Sequence, residues 1–399
     1  MLEPAARIAE EGVAVTDTVH HALERSYKRY AKEKEKHEEL NHWFDVYAPN
    51  GHVPAPSEVW SSHGHARTLR LIGKTKGRAF YHGEIADAID SFSKKHKGYL
   101  RKEDLTNYQP EWVTPVKVNY KGYDVWEMPP NGQGVVALMA LNMLKDLDLK
   151  GKDDPETVHK QIEAVKLAFS DGQLTITDTS YMKMAVSDLL SESYAKERSK
   201  LISDQAISAV PGIEDSSGTV YLATADRHGN MVSYIQSNYM GFGSGAVVPG
   251  YGISLNNRAV CFTLENEHVN ALGPGKRPFN TIIPGFLTKG KQAVGPFGVM
   301  GGHMQPQAHL QVVQSMIDFK MNPQDALDAP RWQWVKDKKV MVEPTMPMEL
   351  IRELKNRGHE VSVELEKGHF GRGQIILRTK NDTYIGATEP RTDGCVAVW

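Results

Sequence analysis

Two cysteines in 399 residues are too few for a disulfide framework, and Cys261 and Cys395 stand in neither a C-x-x-C nor a zinc-finger spacing. They could pair, but two buried thiols of small apolar character are the simpler expectation. No run of about 18 apolar residues occurs, so no stretch suits a membrane-spanning helix. Charge of one sign is not in excess either. Lys and Arg number 47 against 49 Asp and Glu, a formal net charge of −2. That removes the electrostatic ground for nucleic-acid binding and for an acidic solvating tail. The start, Met1-Leu-Glu-Pro-Ala-Ala-Arg-Ile, lacks the basic-then-apolar profile of a signal peptide. If that start is genuine the expected compartment is the cytoplasm; otherwise a secreted or periplasmic location stays open. No repeat of fixed period is present. With 40% hydrophobic and 24% charged residues the chain reads as globular rather than disordered, and its length exceeds a typical single domain.

What is present divides into two halves. The first is rich in helical pattern, from Pro4 to Glu39 and again where Ile85, Ile89 and Phe92 recur on one face before Gly98. The charged run Lys28–Glu39 mixes both signs and reads as a solvated helix face. Pro129-Pro130-Asn131-Gly132-Gln133-Gly134 breaks the chain before an almost wholly apolar helix to Leu144, which must be buried on most sides. Asp154-Pro155 supplies a cap and a first-turn proline for a helix with Val158, Ile162, Val165 and Phe169 inward. In the second half, Thr219–Asp226 and Met231–Asn238 read as strands around the turn Arg227-His228-Gly229-Asn230. Further strands are expected at 340–343, 361–365, 374–379 and 384–387, with helices near 304–319 and 347–357. Val361, Val363 and Leu365 alternate as a half-buried strand would. A helical layer followed by antiparallel sheets implies an α+β layered fold.

Thr219 follows Gly218 at the mouth of an apolar strand, after Ser216-Ser217. The hairpin would return Ser237 and Asn238 to its side. Gly301-Gly302 precedes a helix start, where uncovered backbone N–H groups suit an oxyanion hole. His63-Gly64-His65, His303 and His309 come without an H-E-x-x-H or carboxylate-bracketed spacing, so they are read as core or surface histidines, and neither metal nor cofactor is expected. Gly273-Pro274-Gly275-Lys276 lacks the leading glycine and the trailing hydroxyl of a phosphate loop. Trp332 and Trp334 are expected in the core or at its rim.

Taken in order, these segments resemble the γ-glutamyltranspeptidases. The likeness runs through Leu105-Thr106-Asn107-Tyr108-Gln109-Pro110, Met128-Pro129-Pro130 with Gln133-Gly134, and Ile162-Glu163-Ala164 into Leu167-Ala168-Phe169. It continues from Thr219 through Asp226, Gly229-Asn230, Phe242-Gly243-Ser244-Gly245, Leu255-Asn256-Asn257 and Gly275-Lys276-Arg277-Pro278. It closes with Gly301-Gly302, Asp328-Ala329-Pro330-Arg331 and Pro390-Arg391-Thr392-Asp393-Gly394. The resemblance implies an Ntn-hydrolase αββα four-layer sandwich with central antiparallel sheets. It further implies a precursor that cuts itself between Gly218 and Thr219, into a large-subunit portion 1–218 and a small catalytic portion 219–399 of one composite domain, and it allows a homodimer. Thr219 would be nucleophile and, through its freed amine, base. Ser237 would steady the hydroxyl, and Gly301 and Gly302 would form the oxyanion hole. The implied partners are a small γ-glutamyl or related acyl substrate, then water or an amine, met by Asn238, Tyr239, Asn257, Arg258, Asn280 and Thr281.

The match departs in three places. Arg258 and Cys261 stand where the family carries a glutamine and the acid that holds an α-ammonium, with Glu265 or Glu267 the nearby substitutes. An arginine suits an extra carboxylate better, as in a glutaryl or polyglutamyl amide, so a glutaryl- or polyglutamyl-amide acylase is the alternative. Asn280-Thr281 replaces a serine pair, and the stretch from Phe262 to Gly273 is short for a substrate lid. Finally, the family carries an N-terminal portion before the point where this chain begins. That portion supplies central strands and a substrate-binding arginine, which predicts an N-terminally incomplete sandwich with exposed sheet edges and leaves a noncatalytic remnant as a third reading.

Overall fold

A computed structural model describes residues 1–209 and 218–399, so Ser216 and Ser217 lie outside the described residues. These fall into two compact units, Met1–Trp112 with Met240–Asn257, and Val113–Tyr239 with Arg258–Trp399. No described helix is long and apolar enough to cross a membrane.

The first unit is built on α1 (Glu3–Glu11), α2 (Asp17–Glu33), α3 (Asn41–Tyr47), α4 (His63–Thr75) and α5 (Glu84–Lys95). Ile85, Ile89 and Phe92 of α5 are buried, as their spacing predicts. The charged run is mostly exposed, with Tyr30 turned inward. Trp43 is fully buried, and the Tyr47 ring lies 4.4 Å from that of Phe242. Gly243 has φ +68°, and a Cβ there would sit 2.3 Å from the Leu255 carbonyl oxygen. Ser244 N donates to that same oxygen at 2.9 Å. Two of the sequence motifs around Gly243 and Leu255 are thus the two sides of one tight loop that only glycine permits.

The second unit contains β1 (Val116–Tyr120), β2 (Tyr123–Glu127), α6 (Gly134–Leu144), α7 (Pro155–Thr175), β3 (Thr219–Ala225), β4 (Met231–Ser237), β5 (Gly285–Lys289), β6 (Gln292–Met300), α8 (Met304–Ile317), β7 (Trp332–Lys336), β8 (Lys339–Val342), α9 (Met348–Asn356), β9 (Glu360–Val363), β10 (Arg372–Arg378) and β11 (Tyr384–Thr388). Every residue of α6 is buried. Asp154 caps α7, its side chain accepting from Thr157 N at 2.8 Å, and Val158, Ile162, Val165 and Phe169 are all buried.

Six strands form an antiparallel sheet in the order β11-β10-β6-β5-β2-β1. Side chains alternate across a strand. In β6, Phe297 meets His309 of α8 at 5.0 Å between rings, while Gly298 faces Tyr221 of the β3–β4 hairpin, where a Cβ would come within 2.4 Å. Helices therefore lie on one face of this sheet and the hairpin on the other. The hairpin's outer face carries Val220, Leu222, Val232 and Tyr234, all 41–55% exposed.

Several expectations need correction. β1 and β2 lie in the half read as mostly helical, where no strand was expected; they are joined by Lys121 (φ +48°) and Gly122 (φ +89°), a two-residue left-handed turn. β5, β6 and β7 were also not anticipated. β9 pairs with β8 in parallel, with α9 as the crossover that such a pair requires, so this three-stranded sheet is mixed rather than antiparallel. β9 is an edge strand: Val363 is 48% exposed, and Leu365, beyond the strand, is 78% exposed, so neither belongs to a half-buried face. The thiols are not both buried. Cys261 is partly buried and Cys395 exposed, and both are free. Trp332 and Trp334 are in the core, at 2% and 0% exposure.

Candidate active site

Register places the first pair of groups. Asp226 Oδ1 accepts from His228 N at 2.9 Å and from Asn230 N at 3.0 Å, and Gly229 takes φ +87°. This turn pins Ala225 opposite Met231 and thereby Thr219 opposite Ser237. A slip of one residue would send Ser237 to the other face of the ribbon. Thr219 is 2% exposed. Its Oγ1 donates to Ser237 Oγ at 2.9 Å. Ser237 Oγ also accepts from Tyr239 N at 2.8 Å and donates to the Gly218 carbonyl at 3.4 Å. One hydroxyl therefore touches both the threonine hydroxyl and the carbonyl of the preceding peptide bond.

Tyr239 has φ +78°, a left-handed conformation that a bulky residue adopts at a cost. Its ring is buried beneath the Arg258 guanidinium, 4.5 Å from centroid to Cζ. Arg258 Nη1 donates to Thr281 Oγ1 at 2.8 Å. Burial pushes the Arg258 pKa down and the Cys261 thiol up, and each group's neighbourhood partly offsets this for the other. Tyr239, Arg258, Cys261 and Thr281 thus form one cluster. Asn280 spends its Oδ1 on Ile282 N at 3.1 Å, and Asn238 is half-buried in the link between Ser237 and Tyr239. Asn257 belongs to the first unit, where its Oδ1 accepts from Met240 N at 3.2 Å.

Gly301 (φ +148°) and Gly302 (φ +58°) join β6 to α8. The Gly301 carbonyl accepts from Met304 N at 3.0 Å and that of Gly302 from Gln305 N at 3.3 Å. A Cβ on Gly301 would lie 3.0 Å from Gly371 Cα, and its positive φ is one that side chains rarely adopt, so both favour glycine there. The strand leading to this turn is held from below: Val299 N donates to His309 Nε2 at 3.0 Å, which puts the ring proton on Nδ1, 2.6 Å from Glu127 Oε1. His303, next to Gly302, lies against Phe279; burial lowers its pKa to about 4, with Arg258 adding to the effect. It is therefore neutral at pH 7.

Gln133 carries more of the site than its motif suggests. Its Nε2 donates to the Gly302 carbonyl at 2.8 Å and to the Thr281 carbonyl at 2.7 Å. Its own N donates to the Asn280 carbonyl at 2.8 Å. A single buried amide thus ties the glycine turn to the loop that meets Arg258. The sequence signalled this residue as part of a break before a helix and of a family motif, with no role in the site.

Comparison with known proteins fits this geometry. The family model for gamma-glutamyltranspeptidase matches residues 1–399. The glutathione hydrolase-like YwrD proenzyme of Bacillus subtilis is 32% identical over 402 residues, covering 99% of this chain and 75% of that protein. The oxamate amidohydrolase proenzyme of Klebsiella pneumoniae is 30% identical, covering 100% and 75%. Among solved structures, cephalosporin acylase from Bacillus halodurans superposes with a TM-score of 0.95 at 55% identity, covering 99% of this chain and 73% of that one. The fold is therefore the α+β Ntn-hydrolase type, and the chain belongs to the gamma-glutamyltranspeptidase family, whose members are made as proenzymes and act as Ntn-type hydrolases and acyltransferases.

Proposed function

We propose that this chain cuts itself between Gly218 and Thr219 and then acts as an amide acylase through Thr219. The carrying observation is the Ser237 hydroxyl, 2.9 Å from Thr219 Oγ1 and 3.4 Å from the Gly218 carbonyl oxygen. In the cut, Thr219 Oγ attacks the Gly218 carbonyl carbon and loses its proton. The C–N bond breaks, the nitrogen takes a proton, and the chain is left as an ester. Water hydrolyses that ester to a Gly218 carboxylate and a free Thr219 hydroxyl. Thr219 then owns an α-amine, whose ordinary pKa of about 8 suits a base at neutral pH. In turnover the same hydroxyl attacks a substrate amide, releases the amine, and passes the acyl group to water or a second amine. Gly301 and Gly302 act as the oxyanion hole. The cut divides the chain into 1–218 and 219–399. These stay interleaved, because β1 and β2 come from the first piece and the other four strands of the six-stranded sheet from the second.

For the acyl group, Arg258 favours one that ends in a carboxylate, as a glutaryl amide does. Its guanidinium lies over the ring of Tyr239, whose backbone amide is on Ser237 Oγ, so one residue links it to the reacting hydroxyls. The name of the 55% identical Bacillus halodurans protein, a cephalosporin acylase, supports an amide acylase without specifying the acyl group. γ-Glutamyl amides are the second reading, supported by the family itself. Rates of amine release from glutaryl and γ-glutamyl anilides decide between them: faster glutaryl turnover supports the acylase, and the reverse order overturns it.

A further inference from the structure

The segment from Ser203 to Ala209 is held at five backbone groups. The Ser203 carbonyl meets His159 Nε2 at 2.7 Å. Ala206 N donates to the Arg357 carbonyl at 2.7 Å, and the Ala209 carbonyl accepts from Asp337 N at 3.1 Å. Ile207 is gripped twice, its N donating to Glu163 Oε2 at 3.0 Å and its carbonyl accepting from Lys166 Nζ at 3.0 Å. The side chains of Glu163, Lys166 and His359 are fully buried.

These side chains form one closed network. Lys166 Nζ also donates to Glu163 Oε1 at 2.7 Å and to His359 Nδ1 at 3.5 Å, so its three protons are all engaged. An ammonium can only donate, which makes His359 Nδ1 an acceptor and leaves the ring proton on Nε2. That proton points to His159 Nδ1, 2.8 Å away. His159 then carries its own proton on Nε2, toward the Ser203 carbonyl. Buried and fully satisfied, such a network specifies one arrangement. His159, Glu163 and His359 also have ligand atoms within 4.8 Å of one another, the spacing of a metal site. The Lys166 ammonium already supplies the positive charge there.

Residues 210–217 alone separate this anchored segment from Gly218. We propose that His159, Glu163, Lys166 and His359 are positioning residues for self-cleavage: a latch that fastens the arm leading to the Gly218–Thr219 bond. After the cut the latch ties the end of the first piece to His359 in the second. Its cleavage role rests on the reading above; its existence does not.

Charge makes the latch sensitive to acid. Burial lowers the pKa of both imidazoles, that of His359 to about 3; the cations facing His359 are Lys166, Arg357 and Lys338, and the neutral His159 ring lies beside them. Glu163 and Asp337 are the anions of the cluster. An imidazole released to water titrates near 6.5, so opening gains protons as pH falls below that value. The open population should rise by up to about tenfold per pH unit for each histidine.

The test uses hydrogen exchange in the Thr219→Ala chain, its mass first checked to be that of the whole chain. Exchange of the 202–209 stretch, corrected for intrinsic rate and compared with α6, should be slow at pH 7.5 and speed at least tenfold between pH 6.5 and 5. His359→Phe should speed it at pH 7.5 and flatten the pH dependence, and His359→Gln, which keeps a donor toward His159, should restore part of the protection. Exchange that is indifferent to pH and to His359 overturns the latch. The pH series needs no histidine substitution, so it stays decisive if a variant fails to fold. With Thr219 restored, His359→Phe should slow the appearance of the two pieces. An unchanged rate overturns the positioning role, and a parent chain that never cuts overturns the cleavage reading while exchange still reports on the latch.

Discussion

Ser237 stands at the centre of the candidate chemistry because one hydroxyl serves two partners. Ser237→Ala should slow both self-cleavage and turnover by roughly 10²-fold, the scale of losing one preorganised donor at a developing oxyanion, while Ser237→Thr should keep most of each. The rate at which the two pieces appear measures the first effect, and amine release measures the second. On the proposed reading, substrate choice turns on Arg258. A hydrogen bond to a charged group contributes about 1.5–3 kcal/mol, so Arg258→Gln should lower kcat/KM for a glutaryl anilide roughly 10- to 100-fold and change that for a γ-glutamyl anilide far less. Equal losses on both would place Arg258 in structure rather than selection. Thr219 and Ser237 were legible in sequence because a hairpin of even register forces its ends together. Gln133 was not, since its partners at Thr281 and Gly302 are set by loops brought together only in the folded chain.

Among the elements, the loop carrying Gln133 is a clasp between the glycine turn and the Asn280–Thr281 stretch that meets Arg258. Gln133→Ala leaves two buried carbonyls, on Thr281 and Gly302, without this donor. Leaving a buried acceptor unmet costs about 1–3 kcal/mol, so the urea midpoint should fall and kcat should drop with it. A variant with parental stability and activity would show that the clasp is dispensable. Helices were the readable elements: Asp154-Pro155 and the all-apolar run to Leu144 carry both their boundaries and their burial in local sequence. Strands were read less well. β1 and β2 turn on Lys121-Gly122, a weaker signal than Asn-Gly, and β6 runs through two glycines and a proline, Gly295, Pro296 and Gly298, that local rules assign to loops. Gly298 is needed because Tyr221 packs where a side chain would be. The parallel pairing of β8 with β9 depends on α9 crossing between them, which alternation alone does not reveal.

For the whole molecule, buried neutral histidines set the acid limit. Burial lowers His303 to about 4 and His359 to about 3, and it lowers His159 as well. Because these folded-state values lie below the unfolded imidazole value near 6.5, the unfolded chain binds more protons in mild acid. Their contribution is complete above about pH 6.5 and is lost as pH falls toward 4, with a slope of up to about 1.4 kcal/mol per pH unit for each group. Urea midpoints should therefore decline between pH 6.5 and 5, and His303→Asn should lessen the decline; a flat profile would contradict the burial argument. The family and the α+β class were legible across the whole chain because the motifs occur in order. The proposed acyl preference appeared in sequence only as a departure, Arg258 and Cys261, whose meaning depends on the Tyr239–Thr281 cluster around them. The most direct test of the central claim is the intact mass of the 44.5 kDa chain and of its Thr219→Ala variant after incubation at neutral pH. Two pieces meeting at Gly218 and Thr219 in the parent alone are predicted; a parent that stays whole, or a variant that is cut at the same bond, would contradict the assignment of Thr219 as nucleophile.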